Sequence, residues 1–504
     1  MTSTGQTAAA NPTTTPGYQK ALAWLRSGPK RLLIGGQWVD ARSGKTFEVI
    51  DPSTEQKLTS VAEADSADVD AAALAARRAF EAPSWNGISP HARTRLLLNI
   101  AQAVEENAHE LAVLEALDMG APLAACVARV AQVAEIFRYY AGWPTKIFGT
   151  TNPMDASRFQ YMLREPMGVC GLINAWNVPL VMAANKIAPA LVCGNTAILK
   201  PAEQAPLTTL RLAELIEQVG LPPGVLNVVP GYGATAGAAI AAHPDIDKVA
   251  FTGSTAVGRQ ILQASTVNMK KVSLELGGKS PNIVFPDADI DRALAVAVAV
   301  DTFCRNSGQI CSAGTRLFVH ESLLEQATEQ VLRIAATYKV GSPFDAQTKL
   351  GPLISQRQME RLLSYVDAGK SQGARLALGG SRVGGVGYFV EPTVFSPVSN
   401  AMTIAQEEIF GPVLSIILFT DEDDAVFKGN DTQYGLAAAV WTRDASRAHR
   451  VARALKAGRV WINTYAEGDP VMSFGGYKQS GYGREGGAES IEAYTQTKSV
   501  LMRL

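Results

Sequence analysis

The sequence predicts an α/β fold with two parallel sheets and a small exposed ribbon. Beyond Met167, short apolar runs alternate with helical segments, and the runs read G-V-C-G-L-I-N, T-A-I-L-K, V-L-N-V-V, K-V-A-F-T and K-V-S-L-E-L. A second alternating region covers residues 281–463. Continuous apolar strands separated by helices are typical of parallel sheets covered on both faces, and ligands of such sheets bind at the carboxyl ends of the strands.

Two amphipathic helices are expected before the first sheet. Asp65 and Ser66 can cap the first helix, because short polar side chains accept hydrogen bonds from the free amide groups of the first turn. The apolar positions that share one face of this helix are Val69, Ala73, Ala76 and Phe80. The inward positions of the next helix are Leu97, Ile100, Ala101 and Val104. Both patterns indicate helices with one buried face.

The second region contains four strand candidates, R-L-F-V-H, P-V-L-S-I-I-L-F, A-A-A-V-W and R-V-W-I-N, which are enough for another α/β domain. Residues 158–164 and 497–503 instead alternate polar and apolar side chains, as exposed ribbon strands do. Such strands promote aggregation unless they are paired. We therefore predict a homo-oligomer, with a hairpin folded onto its own domain as the alternative.

Composition excludes several classes of partner. A chain of 504 residues with 47% hydrophobic content corresponds to about three domains. Its net charge of -1 does not indicate binding to nucleic acid or to a membrane surface. No apolar run approaches the ~20 residues that span a bilayer. Five cysteines without a C-x-x-C pair favour reduced thiols in the cytoplasm and no metal site. Residues 1–17 lack a signal-peptide pattern and are expected to form a flexible tail.

Cys311 and Glu275 form the most informative pair of residues. Cys311 lies in S-G-Q-I-C-S-A-G, and Glu275 ends the apolar run V-S-L-E-L. A thiolate adds to a carbonyl group, and a carboxylate activates the water that releases the resulting acyl group. The pair therefore predicts covalent acyl chemistry. The alternative for Glu275 is a solvent-facing position on an edge strand.

A buried, inert thiol is the usual alternative for any cysteine. Cys170 and Cys193 fit that alternative, because they lie in apolar strand or helix patterns. Cys304 precedes Cys311 by seven residues and is a candidate oxidation partner. A cysteine hydrolase also stays open, since a histidine partner can approach Cys311 from anywhere in the sequence.

Asn177 follows a strand and precedes Pro179, which can begin a helix. Its amide can donate to an oxyanion, or it can simply cap the helix. Lys200 and Glu203 follow the next strand, where a carboxylate can accept ribose hydroxyls or form a loop ion pair. For a phosphate we favour F-T-G-S, which ends at Ser254 and opens a helix, over the late-spaced glycines 231, 233 and 237; an ordinary serine cap is the alternative.

Taken together, the chain resembles the NAD(P)-dependent aldehyde dehydrogenases. The resemblance covers residues 33–499, and seven motifs occur in family order: A-W-N-V-P, K-P-A-E, F-T-G-S, E-L-G-G-K-S-P, G-Q-I-C, E-E-I-F-G-P-V and F-G-G-Y-K-Q-S-G. Within the family it is most similar to bacterial phenylacetaldehyde dehydrogenases. The resemblance implies a Rossmann-like NAD-binding domain (18–147 and 167–278), an α/β catalytic domain (279–479) and a β-ribbon oligomerisation domain (148–166 and 480–504), assembled as a homotetramer or homodimer.

The resemblance also implies residue roles. Cys311 is the nucleophile, Asn177 with the Cys311 N–H holds the oxyanion, Glu275 is the general base, and Lys186 assists near the site. Residues that contact the cofactor are Ile173, Trp176, Lys200, Glu203, Phe251, Gly253, Ser254, Leu276, Glu408 and Phe410. Glu203 favours NAD over NADP because it repels a 2′-phosphate, and Glu275 favours a free acid as product. Ala175 and Ser473 replace the family's usual prolines near the channel.

The resemblance places seven residues along the substrate channel, namely Val178, Met182, Arg305, Ile310, Ser312, Gly468 and Phe474. Val178 and Gly468 are small and leave room for a bulky apolar group, so we expect an arylacetaldehyde, with medium-chain aliphatic aldehydes second. Arg305 must turn away or pair with an acid such as Glu467. Betaine aldehyde is disfavoured because no aromatic cage is evident. A cysteine hydrolase and a non-catalytic NAD-binding protein stay as alternatives of other classes.

Overall fold

The structure, a computed structural model, describes residues 15–302 and 304–504. The strands of these described residues are β1 Leu32–Ile34, β2 Gln37–Val39, β3 Thr46–Ile50, β4 Lys57–Ala62, β5 Thr150–Asn152, β6 Arg158–Pro166, β7 Val169–Ile173, β8 Thr196–Lys200, β9 Leu226–Val228, β10 Lys248–Thr252, β11 Lys271–Glu275, β12 Pro281–Val284, β13 Arg316–His320, β14 Leu376–Leu378, β15 Thr393–Phe395, β16 Val413–Phe419, β17 Ala437–Trp441, β18 Arg459–Ile462, β19 Gly481–Tyr482 and β20 Thr495–Arg503.

The α-helices are α1 Pro16–Arg26, α2 Ser66–Glu81, α3 Pro83–Asn86, α4 Pro90–Glu106, α5 Ala108–Met119, α6 Leu123–Ala141, α7 Pro179–Val192, α8 Leu207–Gln218, α9 Ala238–Ala242, α10 Thr255–Ala264, α11 Ile290–Ala293, α12 Leu324–Ala335, α13 Gln356–Ser371, α14 Thr403–Gln406, α15 Glu422–Asn430, α16 Ala445–Ala454 and α17 Glu489–Ala493. Short 3₁₀ or π turns cover Gly233–Gly237, Ser265–Val267, Leu294–Val300, Arg305–Gly308, Glu321–Leu323 and Lys478–Ser480. No helix in the described ranges is long and apolar enough to cross a membrane.

The first sheet has eight strands in the order β19-β11-β10-β7-β8-β9-β1-β2. Its central strands β11, β10, β7, β8 and β9 are parallel, and all residues of β7, β8 and β10 are buried. Burial on both faces explains why these strands have continuous apolar sequences. The chain proceeds from β7 to β8 on one side and returns to β10 on the other, so the strand order reverses between β7 and β10.

Within the described part of the chain, the second sheet has seven strands in the order β14-β15-β16-β13-β12-β17-β18, and only β14 is antiparallel to its neighbour. The two parallel sheets confirm the α/β class. The two predicted amphipathic helices are α2 and α4; Asp65 caps α2, and the inward positions of α4 are buried. In α2, Phe80 is only half-buried, at the end of the buried stripe.

The predicted ribbons pair with each other within one chain. Strand β20 pairs with β6 over nine residue pairs, and β5 covers the other edge of β6. In the described ranges no strand covers the outer edge of β20. Several large apolar side chains of this three-stranded ribbon sheet are exposed, namely Phe159, Leu163, Leu501 and Met502.

Two predicted boundaries differ from the structure. The predicted tail, 1–17, is too long, because Thr15 caps α1 and the helix begins at Pro16; residues 1–14 lie outside the described residues. The segment 480–504 does not belong wholly to the ribbon, because Gly481 and Tyr482 pair with β11 in the first sheet. This pairing satisfies backbone groups that β11 would otherwise expose as an edge strand. The rest of the domain division stays a prediction.

Candidate active site

One cavity of about 260 Å³ lies between helices α6 and α7, the segment before β13 and the segment after β18. Cys311 and Asn177 both line this cavity. The seven residues predicted for the substrate channel line it as well, and these are Val178, Met182, Arg305, Ile310, Ser312, Gly468 and Phe474. The structure therefore brings together a thiol, a side-chain amide and the channel residues from three distant parts of the chain.

A tight loop presents Cys311 to the cavity. Asn306 and Ser307 adopt left-handed backbone conformations, with φ of 52° and 53°, and Gly308 follows with φ of 72°. A Cβ atom at Gly308 would collide with the backbone of Gly411, so only glycine fits there. The four other cysteines are buried, whereas Cys311 is partly accessible from the cavity. Cys304 belongs to an apolar core cluster and does not line the cavity.

Asn177 contacts the nucleophile loop directly. Its Nδ2 donates a 2.9 Å hydrogen bond to the carbonyl oxygen of Gln309, and the Nδ2 of Asn306 donates to the Asn177 carbonyl at 2.9 Å. The cap of α7 is Val178, and no side chain caps this helix, whose first turn contains Pro179. The alternative that Asn177 is a helix cap is therefore wrong. Its amide faces the cavity beside Cys311.

Glu275 ends β11 next to the same site. It is only 3% exposed, and neither carboxyl oxygen has a hydrogen-bond partner among the described residues. Strand β19 covers β11, so the alternative of a solvent-facing edge position is wrong. Burial raises the pKa of the Glu275 carboxyl, and the nearby charge of Glu485 raises it further. A buried carboxyl group without partners is costly, and it is typical of a residue retained for chemistry.

A buried ion pair lies beside Glu275. The Nζ of Lys186 is 2.8 Å from Oε1 of Glu485 and donates to Oγ1 of Thr252 at 2.6 Å. Lys186 is fully buried and does not line the cavity, whereas Glu485 does. The positive charge of Lys186 lowers the pKa of Glu275 and so opposes the effect of Glu485. Lys186 therefore acts on the site through charge rather than through contact with the cavity.

The E-L-G-G turn after β11 connects the acid to the nucleophile. The N–H of Gly278 donates a 3.0 Å hydrogen bond to Oε1 of Glu408, and Gly278 packs against the carbonyl oxygen of Cys311. Burial raises the pKa of Glu408 to about 7. Burial also raises the pKa of the Cys311 thiol to about 12, and the charges of Glu408 and Glu275 add to this effect. In the protein alone, Cys311 is therefore held as a thiol.

A crevice at the carboxyl ends of the first sheet collects most of the residues predicted for the cofactor. Ile173 pairs in register with Lys200 of β8 and with Phe251 of β10, where the strand order reverses. Ligands of open α/β sheets bind at such a reversal. Trp176 and Phe410 pack edge to face across the site, with ring centroids 5.2 Å apart.

The polar residues of this crevice form the local contacts that the alternatives predicted, a loop ion pair and a serine cap, and they also lie where a dinucleotide would bind. The Nζ of Lys200 lies 3.4 Å from Oε2 of Glu203 and donates to the carbonyl oxygen of Pro201. The hydroxyl of Ser254 accepts from the N–H of Val257 and caps α10, so the serine-cap alternative is observed. The helix still directs its amino end toward the crevice side of β10. Gly253 links β10 to α10, and Leu276 is buried where α10 crosses the end of β11.

Arg305 does not pair with Glu467. Its Nη1 lies 2.8 Å from Oδ1 of Asp301, four residues earlier, whereas Glu467 accepts from the hydroxyl of Thr464. The shorter sequence separation makes Asp301 the available partner. The Asp301 carboxylate neutralises the positive charge of Arg305, which would otherwise disfavour an apolar substrate in the cavity.

Several residues that line the cavity were not among the predicted site residues. The additional lining residues that bear on its chemistry are Arg129, Arg459, Trp461, Tyr465 and Glu485. Trp461 and Tyr465 stack with ring centroids 4.8 Å apart, and the hydroxyl of Tyr465 donates to the carbonyl oxygen of Ser312. The strand pattern R-V-W-I-N indicated that the side chain of Trp461 is buried. No local sequence pattern indicated that the other four residues line the cavity.

An accessible thiol lines a cavity between the two sheets, and the first sheet has a crevice of the kind that binds nucleotides. This combination is typical of an oxidoreductase. Residues 38–500 match the model of the aldehyde dehydrogenase family. The chain belongs to this family.

Relatives and solved structures support the same membership over nearly the whole chain. Aldehyde dehydrogenase family 2 member B4 of Arabidopsis thaliana is 49% identical over 94% of this chain and 88% of its own length. The NAD+ complex of aldehyde dehydrogenase from Bacillus cereus is 46% identical, with a TM-score of 0.94 over 96% of this chain and 98% of that one. Betaine aldehyde dehydrogenase of Staphylococcus aureus, in complex with NAD+, is 38% identical, with a TM-score of 0.94 over 96% and 97%.

Proposed function

We propose that this protein oxidises an aldehyde to the carboxylic acid through a covalent intermediate on Cys311, with NAD as oxidant. The observation that carries the proposal is the arrangement of three groups. Cys311 and the Asn177 amide line one cavity, and the unpartnered carboxyl group of Glu275 is close enough for its charge to raise the pKa of that thiol. A nucleophile, an oxyanion donor and a base are what acyl chemistry at sulfur requires.

Each residue has a separate task in this proposal. The Cys311 thiol first releases its proton to water, and the resulting thiolate adds to the aldehyde carbon. The Asn177 amide with the Cys311 N–H stabilises the oxyanion that forms. Loss of a hydride leaves a thioester on the sulfur. Glu275 then removes a proton from water, the water oxygen attacks the thioester carbon, and the carbon–sulfur bond breaks to release the acid. Lys186 offsets the charge of Glu485 beside the base.

The residues of the crevice fit a dinucleotide. NAD, when bound, supplies the hydride acceptor. Lys200 and Glu203 can bind the hydroxyls of the adenosine ribose, and the amino end of α10 at Ser254 can bind the phosphates. Glu408, held by the N–H of Gly278, lies where it can orient the nicotinamide ribose beside Cys311. The NAD+ complexes of the Bacillus cereus and Staphylococcus aureus relatives support NAD, and the Glu203 carboxylate supports NAD over NADP.

We propose an arylacetaldehyde, such as phenylacetaldehyde, as the substrate. The cavity contains the rings of Trp461, Tyr465 and Phe474, which suit an aromatic group. Gly468 adds space, because a Cβ there would meet only the Nη1 of Arg459, at 3.5 Å. A quaternary ammonium is disfavoured, since the guanidinium of Arg459 already lies 4.9 Å from the ring centroid of Phe474. Medium-chain aliphatic aldehydes are the second choice.

We also propose that the protein is a homotetramer, or a homodimer, in the cytoplasm. Among the described residues no strand covers the outer edge of β20, and this edge together with the exposed apolar side chains of the ribbon sheet supports self-association. Five free thiols support a reducing compartment. The division into NAD-binding, catalytic and ribbon domains belongs to the same proposal.

The direct test follows NADH absorbance with a panel of aldehydes, using NAD and NADP in parallel. We expect the highest kcat/KM for phenylacetaldehyde with NAD, and no activity in Cys311→Ala. Ester cleavage without nucleotide would favour a hydrolase instead. A Cys311→Ala variant with normal turnover would identify the wrong nucleophile, and a preference for hexanal or octanal would select the aliphatic alternative.

A further inference from the structure

Most polar side chains that line the cavity already have partners within the protein. The charged ones are paired with an opposite charge or bonded to the backbone. Asn177 and the two polar aromatic residues of the cavity donate to backbone carbonyl oxygens. Apart from the nucleophile, three polar side chains of the lining form no hydrogen bond with any described residue, and these are Gln132, Asn185 and Ser312.

Asn185 differs from the other two in its position. Gln132 is exposed on α6, where water can satisfy it, and Ser312 directly follows Cys311. Asn185 lies in the middle of α7 and is the one residue of that helix, Pro179–Val192, that is not buried. Asparagine is a weak helix former, so local propensity does not account for its presence there. An amide without a partner that faces a cavity instead indicates a ligand.

Helix α7 carries Asn185 away from the nucleophile. The start of α7 is hydrogen-bonded to the loop that presents Cys311. With a rise of 1.5 Å per residue, Asn185 lies about 9 Å along the helix axis from Pro179, the first residue of α7. Val181 and Met182, one turn earlier on the same face, line the cavity as well. An aldehyde that is bound to Cys311 and follows this face therefore passes two apolar side chains before it reaches the amide.

The cavity thus combines aromatic side chains with one free amide. The rings of Trp461, Tyr465 and Phe474 come from β18 and the segment that follows it, whereas Asn185 comes from α7. Because the charged groups of the lining are already bound, Asn185 offers its ligand a neutral amide. A side-chain amide both donates and accepts hydrogen bonds, and a hydroxyl group does the same. An aromatic ring that carries a hydroxyl group matches both features.

We propose that Asn185 is a specificity-determining residue that binds a hydroxyl group on the substrate's ring, so that the cavity takes ring-hydroxylated arylacetaldehydes as well as phenylacetaldehyde. The inference rests on the proposed function and extends its substrate class. The hydroxyl group exchanges its hydrogen bond with water for one with the Asn185 amide. A methyl group of similar size at the same ring position cannot form this bond and leaves the amide unsatisfied. The chemistry at Cys311 is the same for both compounds.

The experiment measures NADH formation with hydroxyphenylacetaldehydes and methylphenylacetaldehydes, substituted at the 3- or 4-position, at saturating NAD. For the better of the two positions, we expect kcat/KM of the wild type to be about fivefold higher for the hydroxyl than for the methyl compound, the typical effect of one hydrogen bond. In Asn185→Leu, which keeps the size and removes the amide, this ratio falls to one or below. The change appears in KM, because the ring lies away from the reacting carbon. The matched control Ser312→Ala keeps the wild-type ratio.

Other outcomes overturn the proposal. They include a wild type that does not distinguish hydroxyl from methyl at either ring position, and a hydroxyl preference that survives in Asn185→Leu. Loss of the preference in Ser312→Ala alone would place the hydroxyl group beside Cys311 instead. An equal fall in kcat for every aldehyde in Asn185→Leu would assign the amide to the reaction centre. A wild type that forms no NADH with any of these aldehydes contradicts the proposed function, so the two failures are distinguishable. Thermal melting of each variant confirms that it is folded.

Discussion

The side-chain amide of Asn177 donates a 2.9 Å hydrogen bond to the carbonyl oxygen of Gln309, two residues before Cys311. This bond joins the start of α7 to the nucleophile loop and holds an amide donor beside the sulfur. The second bond of this connection runs from Asn306 to the Asn177 carbonyl. Both partners of the reaction centre are thus positioned before any aldehyde binds.

Removal of this amide is expected to slow the first chemical step. In Asn177→Ala the oxyanion loses one of its two donors, which costs roughly 10²–10³ in rate for comparable sites. The burst of NADH should become slow, while thiol titration of Cys311 with a disulfide reagent shows that the loop is intact. A burst as fast as that of the wild type would show that Asn177 does not hold the oxyanion.

Thiol reactivity in the protein alone should increase steeply with pH. The pKa of Cys311 is raised to about 12, and only the thiolate attacks an alkylating reagent, so reaction with iodoacetamide is slow at neutral pH and accelerates up to that pKa. Glu408→Gln removes a nearby negative charge, lowers this pKa and should accelerate alkylation at pH 8 by up to about tenfold.

The control for that effect is Glu407→Gln. Glu407 is the exposed neighbour of Glu408 and accepts a hydrogen bond from the hydroxyl of Tyr365, away from Cys311. Its substitution should leave the alkylation rate unchanged. Equal acceleration in both variants would mean that surface charge in general, and not the Glu408 carboxylate beside Gly278, controls the pKa of the thiol.

Gly468 should determine how large an aldehyde the cavity accepts. A phenylalanine at this position has room at its Cβ but extends into the cavity. We expect Gly468→Phe to lower kcat/KM for phenylacetaldehyde at least about tenfold, the order of effect of an aromatic-sized change in an apolar pocket, with little change for acetaldehyde. Gly468→Ala serves as the matched control. Equal losses for both aldehydes would contradict a role in size selection.

Self-association should depend on the ribbon sheet. Leu501→Glu places a charge among exposed apolar side chains of β20 and should shift the protein toward smaller species in sedimentation velocity at micromolar concentration. Phe427→Glu introduces the same charge at another exposed apolar position, on α15, and should not change the assembly. If only the Phe427 variant dissociates, the interface lies elsewhere.

Much of the first sheet was predictable because its strands are buried on both faces. The apolar runs that predicted β7, β8 and β10 coincide closely with the observed strands, and each ends near a polar or small residue at the crevice. The small residues around Cys311 likewise predicted that the backbone comes close to another group there. In the structure Gly308 has a positive φ and packs against the backbone of Gly411. Local sequence therefore carried information about strand ends and tight loops.

Side-chain pairs between distant segments carried no such local signal. The pairing of Lys186 with Glu485, the stacking of Arg459 on Phe474 and the covering of β11 by β19 all depend on the return of the carboxy-terminal segment to the site. Periodicity identifies which side of an element is buried but not which group meets it. For the same reason the sequence left open whether Arg305 turns away or pairs with an acid such as Glu467, and the structure pairs it with Asp301.

The most direct measurement of the central claim is the intact mass of Glu275→Gln after mixing with NAD and phenylacetaldehyde. We predict that the protein gains the mass of one phenylacetyl group per subunit, that peptide mapping places it on Cys311, and that NADH stops at a burst of one equivalent. An unmodified protein that still turns over steadily, or an acyl group on any other residue, would contradict the account.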